Sequence, residues 1–256
     1  MLFSVAIAPR FVSRANIPQS ADINFCCFTS QDQHNQTVCP ILLVPENIHY
    51  MVINADVSIT RLHDVRQRFK ELGLPDFERI PGIIPTKDGV YDVPNLRGGT
   101  LGTYGVALAH RAAWKAIAAG PHEWSAIFED DSSPVSAHAM DELPYIPASC
   151  DVVMFHPELS PGRTEICEYT SIMHVHDGYG TCGYLLHRQG AKRLLATSAK
   201  GFDAPLDYWL LRHRENACAC TTKQKLVKTV SYTEGGYSSL KDAVNYSHGR
   251  KQLPNA

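Results

Sequence analysis

The sequence predicts an α/β protein in which helices flank a mostly parallel central sheet. The chain has 256 residues, of which 44% are hydrophobic, enough to bury the core of one domain. Short apolar runs of strand length alternate with longer stretches whose apolar residues recur every three or four positions. This alternation is typical of strands connected by helices, and such strands lie parallel in one sheet. We expect the α/β domain over 49–256.

Residues 1–48 have a different pattern from the rest of the chain. Short apolar pieces at Phe3–Ala8, Ile23–Phe28 and Ile41–Val44 are separated by polar stretches and prolines. These pieces have the length of strands and show no helical periodicity. We therefore expect 1–48 to be a β-rich extension that packs on the α/β domain.

The first strand and helix of the predicted domain follow this extension. Tyr50–Ile53 is a continuous apolar run of the kind that forms a buried strand, and Ser58 is a suitable N-cap for a helix. The helix should end at Gly73 and Pro75. Its apolar face consists of Leu62, Val65, Phe69 and Leu72.

The remaining elements continue the alternation. A second helix is predicted over 103–119, where Gly120 and Pro121 end it. Strands are predicted at Trp124–Phe128, Asp151–Phe155, Gly183–Leu186 and Val227–Tyr232, and helices at Gln189–Thr197 and Pro205–His213.

Composition and charge exclude several classes of protein. The formal net charge of -2 gives no basic field for nucleic acid, and no apolar run reaches the roughly 18 residues of a membrane-spanning helix. The eight cysteines include no C-x-x-C pair, so we expect mostly reduced thiols in a cytoplasmic protein. The segment Gly98–Gly102 lacks both the P-loop lysine and the spacing of a dinucleotide-binding motif.

Three adjacent acids follow the strand at 124–128, namely Glu129, Asp130 and Asp131. Their charges repel one another unless solvent, a base or a metal offsets them, and hard cations such as Mg²⁺ or Mn²⁺ prefer oxygen ligands. The carboxyl ends of parallel strands are where α/β proteins bind ligands. From this run alone, a cation site and a solvated acidic turn that caps the next helix are equally supported.

Three further polar residues have two interpretations each. His110 and Arg111 lie inside a predicted helix, where Arg111 would clamp a phosphate or form a structural salt bridge. Asp207 lies in the first turn of a helix, where a carboxylate is favourable without any catalytic role.

In their order along the chain, several blocks together resemble glycosyltransferase family 25, which includes bacterial lipooligosaccharide galactosyltransferases and the collagen galactosyltransferase domain. The resemblance runs from about residue 50 to about residue 211. Ala55 and Val57 differ from the family, which has Leu and Arg at these positions. The blocks are Val52–Asp56 with Arg61, Phe69–Pro75 with Phe77–Ile80, Leu101–Trp114, Trp124–Asp131, Asp151–His156, Gly180–Leu195 and Pro205–Asp207.

The resemblance implies a GT-A fold and an inverting transfer of a hexose, galactose or glucose, from a UDP-linked donor to a hydroxyl group. It implies a divalent cation, Mn²⁺ or Mg²⁺, held by Glu129 and Asp131 and completed by His248. Asp207 would be the catalytic base. The donor would be bound by Asn54, Arg61, His110, Arg111 and Asp130.

The acceptor expected from the resemblance is a cell-surface saccharide, with a protein hydroxyl or a hydroxylated DNA base as alternatives. Two other functions remain open. A glycoside hydrolase would use Glu129 and Asp207 as its acid and base. A sugar-binding domain without activity would keep the fold alone.

Overall fold

The computed structural model describes residues 40–42, 48–86, 88–93, 100–136, 139, 145–147, 150–155, 164–165, 172–174, 181–213, 216–222 and 225–229. His248 and most of the predicted extension over 1–48 lie outside these residues.

The strands of the described residues form one large sheet and two small ones. In the large sheet the order is β3-β2-β4-β10-β7-β11-β9-β8, and the small sheets pair β1 with β6 and β5 with β12. The strands are β1 Pro40–Leu42, β2 Ile48–Ala55, β3 Glu78–Gly82, β4 Trp124–Glu129, β5 Ser132–Pro134, β6 Tyr145–Pro147, β7 Val152–Met154, β8 Thr164–Glu165, β9 Ile172–His174, β10 Gly183–His187, β11 Ala219–Thr222 and β12 Val227–Thr229.

Most strands of the large sheet run in one direction. The pairs β2–β3, β2–β4 and β7–β11 are parallel, whereas β10 is antiparallel to both of its neighbours. β9 is also antiparallel to both β11 and β8. Therefore β10 and β9 run against the other six strands. The prediction of one α/β domain with a mostly parallel sheet flanked by helices is confirmed.

Four helices are described, and the first begins after Ser58 as expected, although the Ser58 side chain makes no capping hydrogen bond. The hydroxyl of Thr100 accepts a hydrogen bond from the backbone N–H of Thr103, which forms a capping box at the start of the second helix. Gly73, just beyond the first helix, has a positive φ of 64°, which a glycine adopts without steric cost. The helices are α1 Ile59–Glu71, α2 Leu101–Ala119, α3 Arg188–Ser198 and α4 Leu206–Arg212.

Each face of the large sheet has its own apolar core. On one face α2, α3 and α4 cover the sheet, and Trp114 and Trp209 stack at 6.0 Å between ring centroids. On the other face Phe69 of α1 packs edge to face against Phe128 of β4. Each fully buried aromatic side chain contributes about 1.5–3 kcal/mol. Helix packing on both faces therefore fixes the position of the sheet and of the ends of its strands.

One disulfide departs from the expectation of mostly reduced thiols. Cys150 and Cys220 form a disulfide that spans 70 residues, whereas Cys182 and Cys218 are buried and lie outside this disulfide. Scattered cysteines gave no indication of this pair, because its members meet only when β11 joins β7. Within the described part of the chain, no helix is long and apolar enough to cross a membrane.

Candidate functional site

The acidic residues lie at the carboxyl end of β4, beside the carboxyl end of β2. The parallel register of these strands pairs Ile53 with Glu129, so the residues after them come side by side. The Nδ2 atom of Asn54 donates to Oδ2 of Asp130 at 2.7 Å and to the carbonyl oxygen of Ser58 at 3.0 Å. The structure thus brings together Asn54 and the acidic residues.

Arg61 of α1 joins two of the acids. Its Nη2 atom lies 2.5 Å from Oδ1 of Asp130 and 3.0 Å from Oδ2 of Asp131. Both carboxylate oxygens of Asp130 therefore already accept hydrogen bonds, from Arg61 and from Asn54. Asp130 is 5% exposed, so in this arrangement it holds its neighbours in place.

Two arginines that the sequence interpretation missed complete this side of the site. Arg68 donates to the carbonyl oxygen of Asp130 at 2.9 Å, and Arg79 of β3 donates to Oδ1 of Asn54 at 3.0 Å. Arg68 follows Arg61 by seven residues, which places both on one face of α1. That spacing could have identified Arg68, whereas the position of Arg79 depends on the pairing of β3 with β2.

His110 lies at the site and Arg111 does not. Nε2 of the buried His110 is 3.3 Å from Oε1 of Glu129. Arg111 instead contacts Asp92 at 2.5 Å and Ser198 at 3.1 Å. Successive helical residues point about 100° apart, so neighbours in sequence face different surroundings. Arg111 thus forms the salt bridge that was the alternative to a phosphate clamp.

Burial and charge alter the acids in different ways. Burial and the neighbouring charge of Glu129 raise the pKa of Asp131 to about 6, although Arg61 opposes this shift. Burial also raises the pKa of Asp130. For Glu129, burial acts to raise the pKa, but the hydrogen bonds from His110 and Thr181, together with the charge of Arg61, outweigh it and leave the pKa lowered. The negative charge of Glu129 is therefore well stabilised by its neighbours, whereas that of Asp131 is poorly stabilised.

A cleft of about 170 Å³ opens beside these acids. Its acidic side consists of Glu129, Asp130 and Asp131, next to Arg61 and His110. The other lining residues, which form the apolar side of the cleft, are small or apolar. These are Ile53, Ala55, Gly82, Ile83, Ile84, Gly105, Val106 and Ala109.

The apolar side of the cleft depends on close contact between α2 and the segment after β3. A Cβ atom at Gly105 would lie 2.4 Å from the carbonyl oxygen of Ile83 and 2.7 Å from Cδ of Pro85. Only glycine fits at such a distance, because backbone atoms have little room to move. Gly105 therefore lets the segment 83–85 approach the helix and form this side of the cleft.

The acids fit a hard divalent cation in one specific respect. Oδ1 of Asp131 is buried and has no hydrogen-bond partner among the described residues. A buried oxygen without a partner is costly, and a cation would supply the missing interaction. The described residues contain no complete cluster of three or more His, Cys, Asp or Glu ligands. Water or ligand oxygens would therefore have to complete the coordination shell, as Mg²⁺ commonly requires.

The structure does not join the other predicted site residues to this cleft. Asp207 lies in the first turn of α4, where its Oδ1 accepts a hydrogen bond from the backbone N–H of Tyr208 at 2.9 Å. It is not among the residues that line the cleft. The prediction that His248 completes the cation shell falls outside the described residues.

Comparison with known proteins gives remote structural similarity alone. No family model and no curated protein matches the chain. The chain is similar to a Drosophila β-1,4-galactosyltransferase 7 variant in complex with manganese, UDP-Gal and xylobiose, with a TM-score of 0.38, 11% identity and 82% of each chain covered. It is also similar to a glycosyltransferase involved in the glycosylation of the major capsid of PBCV-1, with a TM-score of 0.44, 10% identity, and 75% of this chain and 94% of that chain covered.

Proposed function

We propose that the protein is a metal-dependent inverting glycosyltransferase of the GT-A type, similar to family 25. It would transfer galactose or glucose from a UDP-linked donor to an acceptor hydroxyl, most suitably on a cell-surface saccharide. The observation that carries this proposal is the buried, unpartnered Oδ1 of Asp131 at the edge of a cleft. A carboxylate in that state is poorly suited to a structural role and well suited to a cation.

The two sides of the cleft match the two chemical parts of a nucleotide donor. Its acidic side, with a bound cation and Arg61, would accept the diphosphate, because both positive groups attract phosphate oxygens. Its apolar side would accept the base and ribose, because these uncharged rings can pack against apolar side chains. Arg61 is 8% exposed, so its charge acts in surroundings where solvent screens it weakly.

Asp131 and Glu129 would hold the Mn²⁺ or Mg²⁺ ion. When bound, the cation would offset the negative charge of the departing nucleoside diphosphate. Asp130 and Asn54 would keep Arg61 and the end of β2 in position through the contacts described above. Arg61 would orient the diphosphate, so that the anomeric carbon of the sugar faces the acceptor.

Asp207 is the proposed base. Inversion needs a group that takes the proton of the acceptor hydroxyl on the side of the sugar opposite the diphosphate. A carboxylate at the start of α4 can accept that proton if the bound donor and acceptor extend towards it. A cytoplasmic location, where nucleotide sugars are available, would suit this reaction.

The test is to incubate the purified protein with a panel of nucleotide sugars and acceptors, with Mn²⁺ or with EDTA, and to measure nucleotide release. We expect release from a UDP-hexose only when the cation is present. Cleavage of a glycoside without any nucleotide would indicate a hydrolase instead. Binding of the nucleotide sugar without nucleotide release, whichever acceptor is present, would favour a sugar-binding domain.

A further inference from the structure

A chain of polar groups runs through the core beneath the site. The hydroxyl oxygen of Tyr184 lies 2.8 Å from Nε1 of Trp114 and 2.9 Å from Nδ1 of His110. All three side chains are 0% exposed. Polar groups at this depth are costly unless they are hydrogen-bonded, so the sequence must supply each of them with a partner.

The direction of these hydrogen bonds follows from their donors. An indole N–H can only donate, so the Tyr184 oxygen accepts from Trp114. Burial raises the pKa of Tyr184, and its hydroxyl therefore keeps the proton that it donates to Nδ1 of His110. The Nε2–H of His110 then donates to Oε1 of Glu129. This assignment is made from the hydrogen-bond network. It gives an acceptor to each of the polar hydrogens of Trp114, Tyr184 and His110.

A second donor reaches the same oxygen of Glu129. The hydroxyl of Thr181, two residues before β10, donates to Oε1 at 2.8 Å. Oε2 receives no hydrogen bond from the described residues, while the Glu129 side chain is 26% exposed and lines the cleft. Two donors on one oxygen leave the carboxylate a single favourable orientation.

We infer that Tyr184 and Thr181 are positioning residues, which hold the Glu129 carboxylate so that Oε2 faces the cleft as a ligand for the cation. Thr181 acts directly and Tyr184 acts through His110. The assignment of Oε2 as a cation ligand rests on the proposed function. Groups that hydrogen-bond a metal ligand typically change metal affinity by about 10–100-fold when they are removed.

A purely structural role for the network predicts a different outcome, and the chain offers a matched control. Tyr104 is also buried, at 1% exposure, and its hydroxyl donates to the carbonyl oxygen of Val93 at 2.7 Å. Tyr104→Phe and Tyr184→Phe thus each remove one buried hydroxyl beside α2. Only the second change interrupts the route to Glu129.

The experiment measures Mn²⁺ affinity by calorimetry, with the metal alone, for the wild type, Tyr184→Phe, Thr181→Val and Tyr104→Phe. Crystal structures and thermal unfolding of the same four proteins accompany it. We expect the Kd for Mn²⁺ to rise about tenfold in Tyr184→Phe and in Thr181→Val, and to stay within about twofold in Tyr104→Phe. Thr181→Val tests the inference independently if Tyr184→Phe does not fold.

The outcomes separate this inference from the proposed function. Unchanged Mn²⁺ affinity and an unmoved Glu129 carboxylate in both network variants would overturn the inference. If the wild type binds no Mn²⁺, the proposed function fails, and the crystal structures still decide about positioning. A Glu129 carboxylate that reorients in Tyr184→Phe and Thr181→Val but not in Tyr104→Phe supports the positioning role.

Discussion

Asp131 occupies its position at a cost to folding. Its carboxylate is largely buried, lies next to Glu129 and Asp130, and leaves one oxygen unpartnered in the described structure. These surroundings favour the protonated acid, which explains why the pKa rises from 3.8 to about 6. A residue that served only the stability of the fold would be better replaced by an amide. The unfavourable surroundings of the Asp131 carboxylate therefore indicate that it binds a ligand.

This cost predicts that Asp131→Asn stabilises the metal-free protein at neutral pH. A raised folded-state pKa contributes stability below the unfolded pKa, and that contribution is lost as the pH rises through about 6. The variant should gain on the order of 1–2 kcal/mol in free energy of unfolding at pH 7 and little near pH 4. Urea unfolding in EDTA at several pH values measures the difference. A variant less stable than wild type at pH 7 would contradict this account of Asp131.

For Asp207 the prediction separates binding from turnover. If it is the base, Asp207→Asn should reduce kcat by about 10²–10⁴-fold and leave the Kd for UDP within about twofold. Asp203→Asn is the matched control, because Asp203 is exposed near the same helix and forms only long ion pairs, with Arg212 at 3.7 Å and with His213 at 3.8 Å. Weakened UDP binding with normal turnover in Asp207→Asn would place the base elsewhere.

At the scale of elements, the cleft depends on how α2, β3 and the segment 83–85 fit together. The contact at Gly105 controls this fit, since a methyl group there would overlap the carbonyl oxygen of Ile83. The segment must then move away from α2, and the apolar side of the cleft moves with it.

Gly105→Ala should therefore lower the free energy of unfolding by about 1–3 kcal/mol and also weaken UDP binding. Gly73→Ala is a control that separates the two effects. Gly73 has a φ of 64° and no atom within 4 Å of its added Cβ, so the change costs about 1 kcal/mol through the backbone alone. Denaturant unfolding and UDP titration measure both variants. Equal UDP affinity in Gly105→Ala and wild type would show that this contact does not shape the cleft.

The elements themselves could be predicted well from the sequence, but their contacts could not. The apolar run 124–128 and the acids after it indicated a strand that ends at a site, and β4 ends at Glu129, one residue beyond that run. The end of the first helix at Gly73 is a local signal that a sequence displays directly. The contact of Arg79 with Asn54, in contrast, joins residues 25 positions apart and arises from the pairing of β3 with β2. Local patterns carry no information about such pairing.

At the scale of the whole molecule, one covalent link joins two neighbouring strands of the large sheet that are distant in sequence. Cys150 lies two residues before β7 and Cys220 lies in β11, and the two residues are 2% and 0% exposed. It closes a loop that contains α3, α4 and β10. Constraining such a loop in the unfolded chain stabilises the fold by about 2–4 kcal/mol.

Reduction should thus lower the free energy of unfolding by about 2–4 kcal/mol. The double variant Cys150→Ala, Cys220→Ala should start at this lower value and be insensitive to reductant. Unfolding with and without reductant tests this, alongside a search for the linked peptides in a non-reduced digest. If Cys150 and Cys220 are both alkylated without prior reduction, the disulfide is absent from the protein as purified.

The proposed activity depends on a cation at Asp131 that meets the diphosphate of a bound nucleotide. The most direct measurement is a crystal structure with Mn²⁺ and UDP, with the metal located by its anomalous signal. The account predicts an anomalous peak within coordination distance of Asp131 and of both a phosphate oxygen and Oε2 of Glu129. A cleft that stays empty while UDP or Mn²⁺ binds elsewhere on the protein would contradict it.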